Sequence, residues 1–172
     1  MPTIIIRPSD FIDQDGFDKS GSDLIEALSD NSLVTRTSQT QASAQLQVAF
    51  ESPEEELTNI NHIVTYVGAA TTKDEGSEIT VELIKSGIDS ALQETTFSLD
   101  PVMQYHNTTQ YISDELNNEF FDGLSIKITP DSTGSSISEI YLLITYDTVP
   151  TAGLIKLEEG FVFLEKGKIV LG

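Results

Sequence analysis

Two carboxylate clusters offer the most obvious chemistry in this chain. The first gathers Asp10, Asp13, Asp15, Asp18 and Asp23 around Gly16. Oxygen ligands at alternating positions beside a glycine are what a calcium loop uses. Aligned on Gly16, however, the EF-hand pattern needs acids where Phe11 and Ser22 stand. A sandwich-type calcium loop through Asp13, Asp15 and Asp18 stays open. It competes with a solvated loop whose aspartates cap their own turns, and we assign no metal. The second cluster is Glu51, Glu54, Glu55 and Glu56 around Pro53. Paired carboxylates can hydrolyse a glycosidic bond, but no Trp is present to build a sugar platform beside them. They read as a wet loop following a strand.

Other catalytic patterns are missing. A hydrolase triad needs a nucleophile, a histidine and an orienting acid. The chain has two histidines, His62 in a strand-like context and His106 in a loop-like one, and no Gly-x-Ser-x-Gly. No His-x-x-x-His spacing suggests zinc. Lys19-Ser20-Gly21-Ser22 lacks the earlier glycines of a phosphate loop. Cysteine is absent, which excludes disulfides, thiolate metal sites and cysteine nucleophiles. The expectation is a non-enzyme with no catalytic residues and no cofactor.

The net charge of −19, from 28 acidic and 9 basic residues, argues against nucleic acid or an anionic membrane as partner. The densest apolar run, Ile140–Ile144, is far shorter than the roughly 20 residues a membrane helix needs. The segment Met1–Arg7 has no signal-peptide pattern. The Asn107-Thr108-Thr109 glycosylation pattern accordingly gets no weight.

The elements that must carry these residues are strands. Ala44, Leu46, Val48 and Phe50 alternate with polar residues, as do Ile79, Val81 and Leu83, and Leu124, Ile126 and Ile128. A period of two marks a strand with one buried face. Further strands are expected at 3–7, 33–37, 60–69, 95–99, 108–112 and 137–146. Tyr141–Ile144 is apolar on both parities, which suits a central strand. Asp15-Gly16, Glu75-Gly76, Asp122-Gly123 and the 130–134 stretch supply turns. Only two short helical segments are expected, 23–28 and 113–117. The fold class is all-β: an antiparallel, jelly-roll-like β-sandwich of about eight or nine strands spanning residues 1–149.

Residues 150–172 form a separate unit. A seven-residue repeat ends each time in glycine, which disfavours a helix and suits three short strands in a meander. This stretch has three acids and three bases, so residues 1–149 carry all of the net charge. A three-strand meander has no core of its own. Its apolar residues Leu154, Ile155, Leu157, Phe161, Val162, Phe163, Leu164, Ile169, Val170 and Leu171 are therefore the expected partner-binding set.

Thr3–Asp10, the Asp15-Gly16-Phe17 turn, Leu24–Leu28 and Ile137–Tyr146 together resemble the β-sandwich virion proteins of tailed bacteriophages. The glycine-punctuated tail is similar to β-tails of phage structural proteins. The resemblance implies a capsid decoration (cement) protein, a homotrimer on the major capsid protein, or another head or tail component of the virion. It places the chain in the virion, assembled in the host cytoplasm, and carries over no catalytic residue. The alternative is a carbohydrate-binding module on the same scaffold, with Tyr66, Tyr105, Tyr111 or Phe120-Phe121 as its sugar platform.

Overall fold

The computed structural model describes residues 1–13, 15–17, 28–29, 33, 37–41, 43–54, 57, 59–73, 76–147, 155–157, 160–165 and 168–171, with backbone pairing alone for the last three stretches. Among the described residues ten strands build the body: β1 (Thr3–Ile6), β2 (Pro8–Asp13), β3 (Thr37–Ser38), β4 (Leu46–Phe50), β5 (Ile60–Thr71), β6 (Glu78–Lys85), β7 (Gln93–Ser98), β8 (Gln104–Asn107), β9 (Leu124–Pro130) and β10 (Ser135–Tyr146). They form two antiparallel sheets. One runs β1-β10-β5-β8, with β3 also on β10; the other runs β2-β4-β9-β6-β7. The chain is an all-β sandwich, as the alternation predicts.

The inner faces follow directly from that alternation. Leu46, Val48 and Phe50 of β4, Leu124, Ile126 and Ile128 of β9, and Ile79, Val81 and Leu83 of β6 are buried. They belong to one core with Ile63 and Val67 of β5 and Ile140, Leu142 and Ile144 of β10. Each fully buried side chain of this size contributes about 1.5–3 kcal/mol of transfer free energy. A polar substitution at Ile126 or Ile128 would forfeit that and strand a polar group between the sheets.

One irregularity matters for function. β10 pairs with β5 in register Ile137↔Ala69, then resumes at Glu139↔Gly68. Ser138 is the extra residue of a β-bulge. A bulge reverses side-chain parity beyond it. Ile137 and Ile140 both point to the core, and Glu139 lies on the outer face with Tyr141 and Leu143.

Several expected boundaries move. β2 is a strand although its sequence is acidic. It is an edge strand with two register irregularities against β4, and charge and bulges are usual on exposed edges. The strand expected at 108–112 lies earlier, at β8. Thr108 ends the regular ladder, because its hydroxyl accepts from the Thr65 N–H at 3.1 Å; pairing touches down again only as a bridge between Tyr111 and Ile63. The helix expected at 113–117 is a turn, and a 3-10 helix follows at Asn118–Phe121. Asn117, not Ser113, caps it, by accepting from the Phe120 N–H at 2.9 Å. Of the segment 23–28, only the buried Leu28 is among the described residues. Of 33–37, β3 retains Thr37, and residues 34–36 lie outside them.

The last three strands are β11 (Ile155–Leu157), β12 (Gly160–Glu165) and β13 (Lys168–Leu171). They form an antiparallel sheet of their own, with Ile155 opposite Val162, Val162 opposite Leu171 and Leu164 opposite Ile169. No helix among the described residues is long and apolar enough to cross a membrane.

Candidate aromatic binding face

The outer face of the first sheet carries a row of π systems set by strand register. Tyr141 on β10 pairs with Tyr66 on β5, and Tyr66 pairs with Asn107 on β8. The two rings stack at 4.8 Å with planes 7° apart. Arg7, which follows β1, lays its guanidinium 5.7 Å from the Tyr141 ring centroid. Charge against a ring face adds to the stacking.

A second row lies one step along the strands: Glu139, Gly68 and Tyr105. Tyr105 reaches across β5 at the level of Gly68. Its hydroxyl donates to Glu139, and Arg7 donates to the other carboxylate oxygen. The Tyr105 ring meets Tyr141 edge-on, 5.9 Å away at 72°. Tyr105 is 39% exposed while Glu139 is fully buried. Burial, then the hydrogen bond and the charge of Glu139, hold the Tyr105 phenol well above the ordinary tyrosine range. Tyr141 is raised by burial first, then by Tyr66 and Glu139. Both phenols are neutral hydrogen-bonding groups at physiological pH.

On the opposite side of the tyrosine row, Ile5, Leu143 and Val64 pair across three strands. Ile5 is 48% exposed. Behind β1, a groove of about 330 Å³ continues from Arg7 past Ser9, Ser52, Glu51 and Glu54. The face thus offers the exposed Tyr105 ring, the half-buried Tyr66 and Tyr141 whose facing sides are taken up by their own stack, an amide at Asn107, a guanidinium and a neighbouring apolar strip. Rings that cover the C–H faces of a ligand, beside a few fixed polar groups, suit an amphipathic small molecule.

The other sequence candidates fall elsewhere. Phe120 and Phe121 are buried and pack edge-on at 6.1 Å, so they are core and not platform. Tyr111 stacks on Phe120 at 5.9 Å, away from the tyrosine row. His62 sits on the outer face of β5, opposite Thr145. His106 is not in a loop. It lies on β8 opposite Val67, with its ring 5.3 Å from that of Phe97. Burial lowers its pKa, partly countered by Asp100.

In the first acidic cluster, Asp10 accepts from the Phe11 N–H and Asp13 from the Asp15 N–H, at 2.8 and 3.0 Å. The first is a local bond within β2, and the second has the form of a turn cap. Asp18 and Asp23, like Glu55 and Glu56, lie outside the described residues. Among the described residues no group of three or more His, Asp or Glu is placed to hold a metal ion. Of the tail set, Ile155 and Leu157 stand on β11, Phe161, Val162, Phe163 and Leu164 on β12, and Ile169, Val170 and Leu171 on β13. Leu154 lies outside the described residues.

Sequence reasoning missed Tyr141, Arg7 and Glu139 as members of this face. Tyr141 was visible in the double-parity run 141–144. Glu139 was not, because period-two counting from Ile137 places it inward unless the bulge is known.

No protein-family model matches the chain, and no curated protein matches it. Solved structures do. The C-terminal family 6 carbohydrate-binding module of LamC, a laminarinase from Zobellia galactanivorans, is 11% identical with a TM-score of 0.50, over 84% of this chain and 99% of that one. The CBM6cm-2 module of Cellvibrio mixtus lichenase 5A, in complex with cellotriose, gives 11% and 0.45 over 85% and 98%. TmCBM61, in complex with β-1,4-galactotriose, gives 13% and 0.43 over 85% and 89%. At these identities the likeness concerns the β-sandwich fold.

Proposed function

We propose that the chain is a non-catalytic carbohydrate-binding module whose sugar lies on the outer face of the β1-β10-β5-β8 sheet. The observation that carries this is the side-by-side placement of Tyr105, Tyr141 and Tyr66, with Asn107 and Arg7 at their edges. Pyranose rings have apolar C–H faces and polar rims. Aromatic surface takes the face, while amide and guanidinium donors take rim hydroxyls. That a laminarinase module shares the fold supports the reading. Among the described residues no nucleophile and base meet on this face, and binding without turnover fits that chemistry.

A glycan array followed by calorimetry tests it. The wild type should bind a neutral glycan, and Y105A and Y141A should each weaken binding by about 1–3 kcal/mol, as loss of an aromatic hot spot does. An array with no signal, or variants that bind like wild type, would sink the assignment.

A second reading concerns assembly. β11–β13 pair only with one another in the described ladders. This favours a docking role for the neutral tail, toward sister subunits or another virion protein such as the major capsid protein. On this reading the chain is a virion structural protein that decorates a capsid or belongs to a head or tail, and glycan binding is a property of its body. A stable trimer by light scattering, lost on removing residues 150–172, tests it; a monomeric full-length chain would end it.

A further inference from the structure

Glu139 has no ligand surface of its own, yet the binding face is organised around it. Its carboxylate is fully buried and lies between the two groups with which it bonds, the Arg7 guanidinium and the Tyr105 hydroxyl. Three features of the chain converge to put it there. The bulge at Ser138 turns residue 139 outward. Gly68 stands between Tyr105 and Glu139 in register, and the place of its missing Cβ is crowded by the Ser138 Oγ and Leu33 Cδ2. Arg7 follows the end of β1 and lies against the neighbouring Tyr141 ring. A buried carboxylate without such partners would be strongly destabilising.

We infer that Glu139 is the positioning and specificity-determining residue of this face: it fixes Tyr105 across Gly68 and cancels the charge of Arg7, so that the face takes uncharged glycans. The inference rests on the binding face proposed above. The Tyr105 hydroxyl is committed as a donor to Glu139, which leaves its oxygen to accept from a ligand hydroxyl. Arg7 is neutralised within the site. The rest of the chain is acidic, with a net charge of −19, and repels carboxylated or sulfated sugars. Glu139→Gln keeps the shape, weakens the hold on Tyr105 and removes the carboxylate charge that faces the Arg7 guanidinium.

The test titrates laminari-, cello-, manno- and xylohexaose, and hexagalacturonate as the acidic probe, into wild type, E139Q, Y105F and R7Q/E139Q. Carbon-13 at tyrosine Cζ reports Tyr105 independently of any ligand. The wild type should bind a neutral hexasaccharide and not hexagalacturonate. E139Q should lose roughly tenfold on the neutral sugar and gain hexagalacturonate binding, a gain that R7Q/E139Q abolishes. The Tyr105 Cζ resonance at pH 7 should shift in E139Q, because the hydroxyl loses its carboxylate acceptor.

An E139Q protein that binds both sugars as the wild type does overturns the inference and leaves the binding face standing. A wild type that binds none of the sugars overturns the binding face and the selectivity with it. An unchanged Tyr105 Cζ resonance in E139Q overturns the positioning role in either case. Should E139Q fail to fold, Y105F carries the test: wild-type affinity for the neutral sugar in that variant overturns the inference.

Discussion

Lys85 is joined to Phe120 twice: its ammonium donates to the Phe120 carbonyl at 2.8 Å and stands 5.0 Å from the centre of the Phe120 ring. A further bond reaches the Asp122 carbonyl at 3.1 Å. The carbonyls at the end of the 3-10 turn Asn118–Phe121 lack intrahelical partners, and a cation is the natural cap. By tying β6 to this turn, Lys85 holds Phe121 fully buried in the sandwich. Lys85→Met keeps the aliphatic stem and removes the cap. We expect a loss of about 1–2 kcal/mol and a melting temperature lower by roughly 2–8 °C, measured by thermal denaturation. An unchanged melting temperature would show the cap to be idle.

Gly68 tests how the binding face is built. A Cβ there would lie 2.3 Å from the Ser138 Oγ and 2.7 Å from Leu33 Cδ2. Gly68→Ala should therefore cost about 1–3 kcal/mol through overpacking. The Ser138 hydroxyl is buried without a hydrogen-bond partner, so Ser138→Ala alone should be close to neutral. Combined with G68A it removes the nearest clash and should restore part of the loss. Urea denaturation of the four proteins closes the cycle. Strict additivity would mean that the bulge and the glycine are not coupled.

His106 sets a pH dependence. Its folded-state pKa lies below the ordinary value because burial disfavours the cation, against a smaller opposing effect of Asp100. Its Nε2 has no hydrogen-bond partner. A depressed folded pKa means that the unfolded chain takes up the proton first. The stability contribution is thus complete above the unfolded value of 6.5 and is lost as pH falls through the folded value. His106→Phe, which keeps an aromatic ring beside Phe97, should flatten the part of the stability profile below pH 6.5. Wild-type and H106F profiles that run parallel from pH 7 to pH 5 would rule this out.

What sequence reveals here depends on whether a local pattern decides the outcome. β4, β6 and β9 are legible because one wet face and one buried face print a strict alternation, as at Leu46, Val48 and Phe50. β2 is not, because an edge strand is held by backbone pairing while Asp10 and Asp13 carry turn-like chemistry. β8 is displaced from its expected place by the single Thr108 hydroxyl that substitutes for ladder pairing. The binding face is the least legible part. Tyr105 and Tyr66 are visible as aromatics, but their neighbourhood depends on the register of four strands from distant parts of the chain. Glu139 adds a bulge that no residue type announces. Phe120 and Phe121 show the converse, since adjacent aromatics look like a platform and prove to be core once the turn is tied to β6.

The tail gives a prediction from charge alone. Residues 150–172 are neutral and residues 1–149 carry the whole −19. If the β11–β13 sheet joins sister chains, the bodies it brings together repel one another, and the repulsion is screened over about 10 Å at 0.1 M salt. Association of the full-length chain should therefore strengthen as salt is raised from 0.05 to 0.5 M, the reverse of what an interface built on ion pairs shows. The chain ending at residue 149 should keep the same near-ultraviolet spectrum and sediment as a monomer at every salt concentration. Val162→Asp places a charge at the centre of the three-strand register, opposite Ile155 and Leu171, and should mimic the truncation. Sedimentation velocity distinguishes the outcomes, and association that weakens with salt or persists without the tail would place the interface on the body.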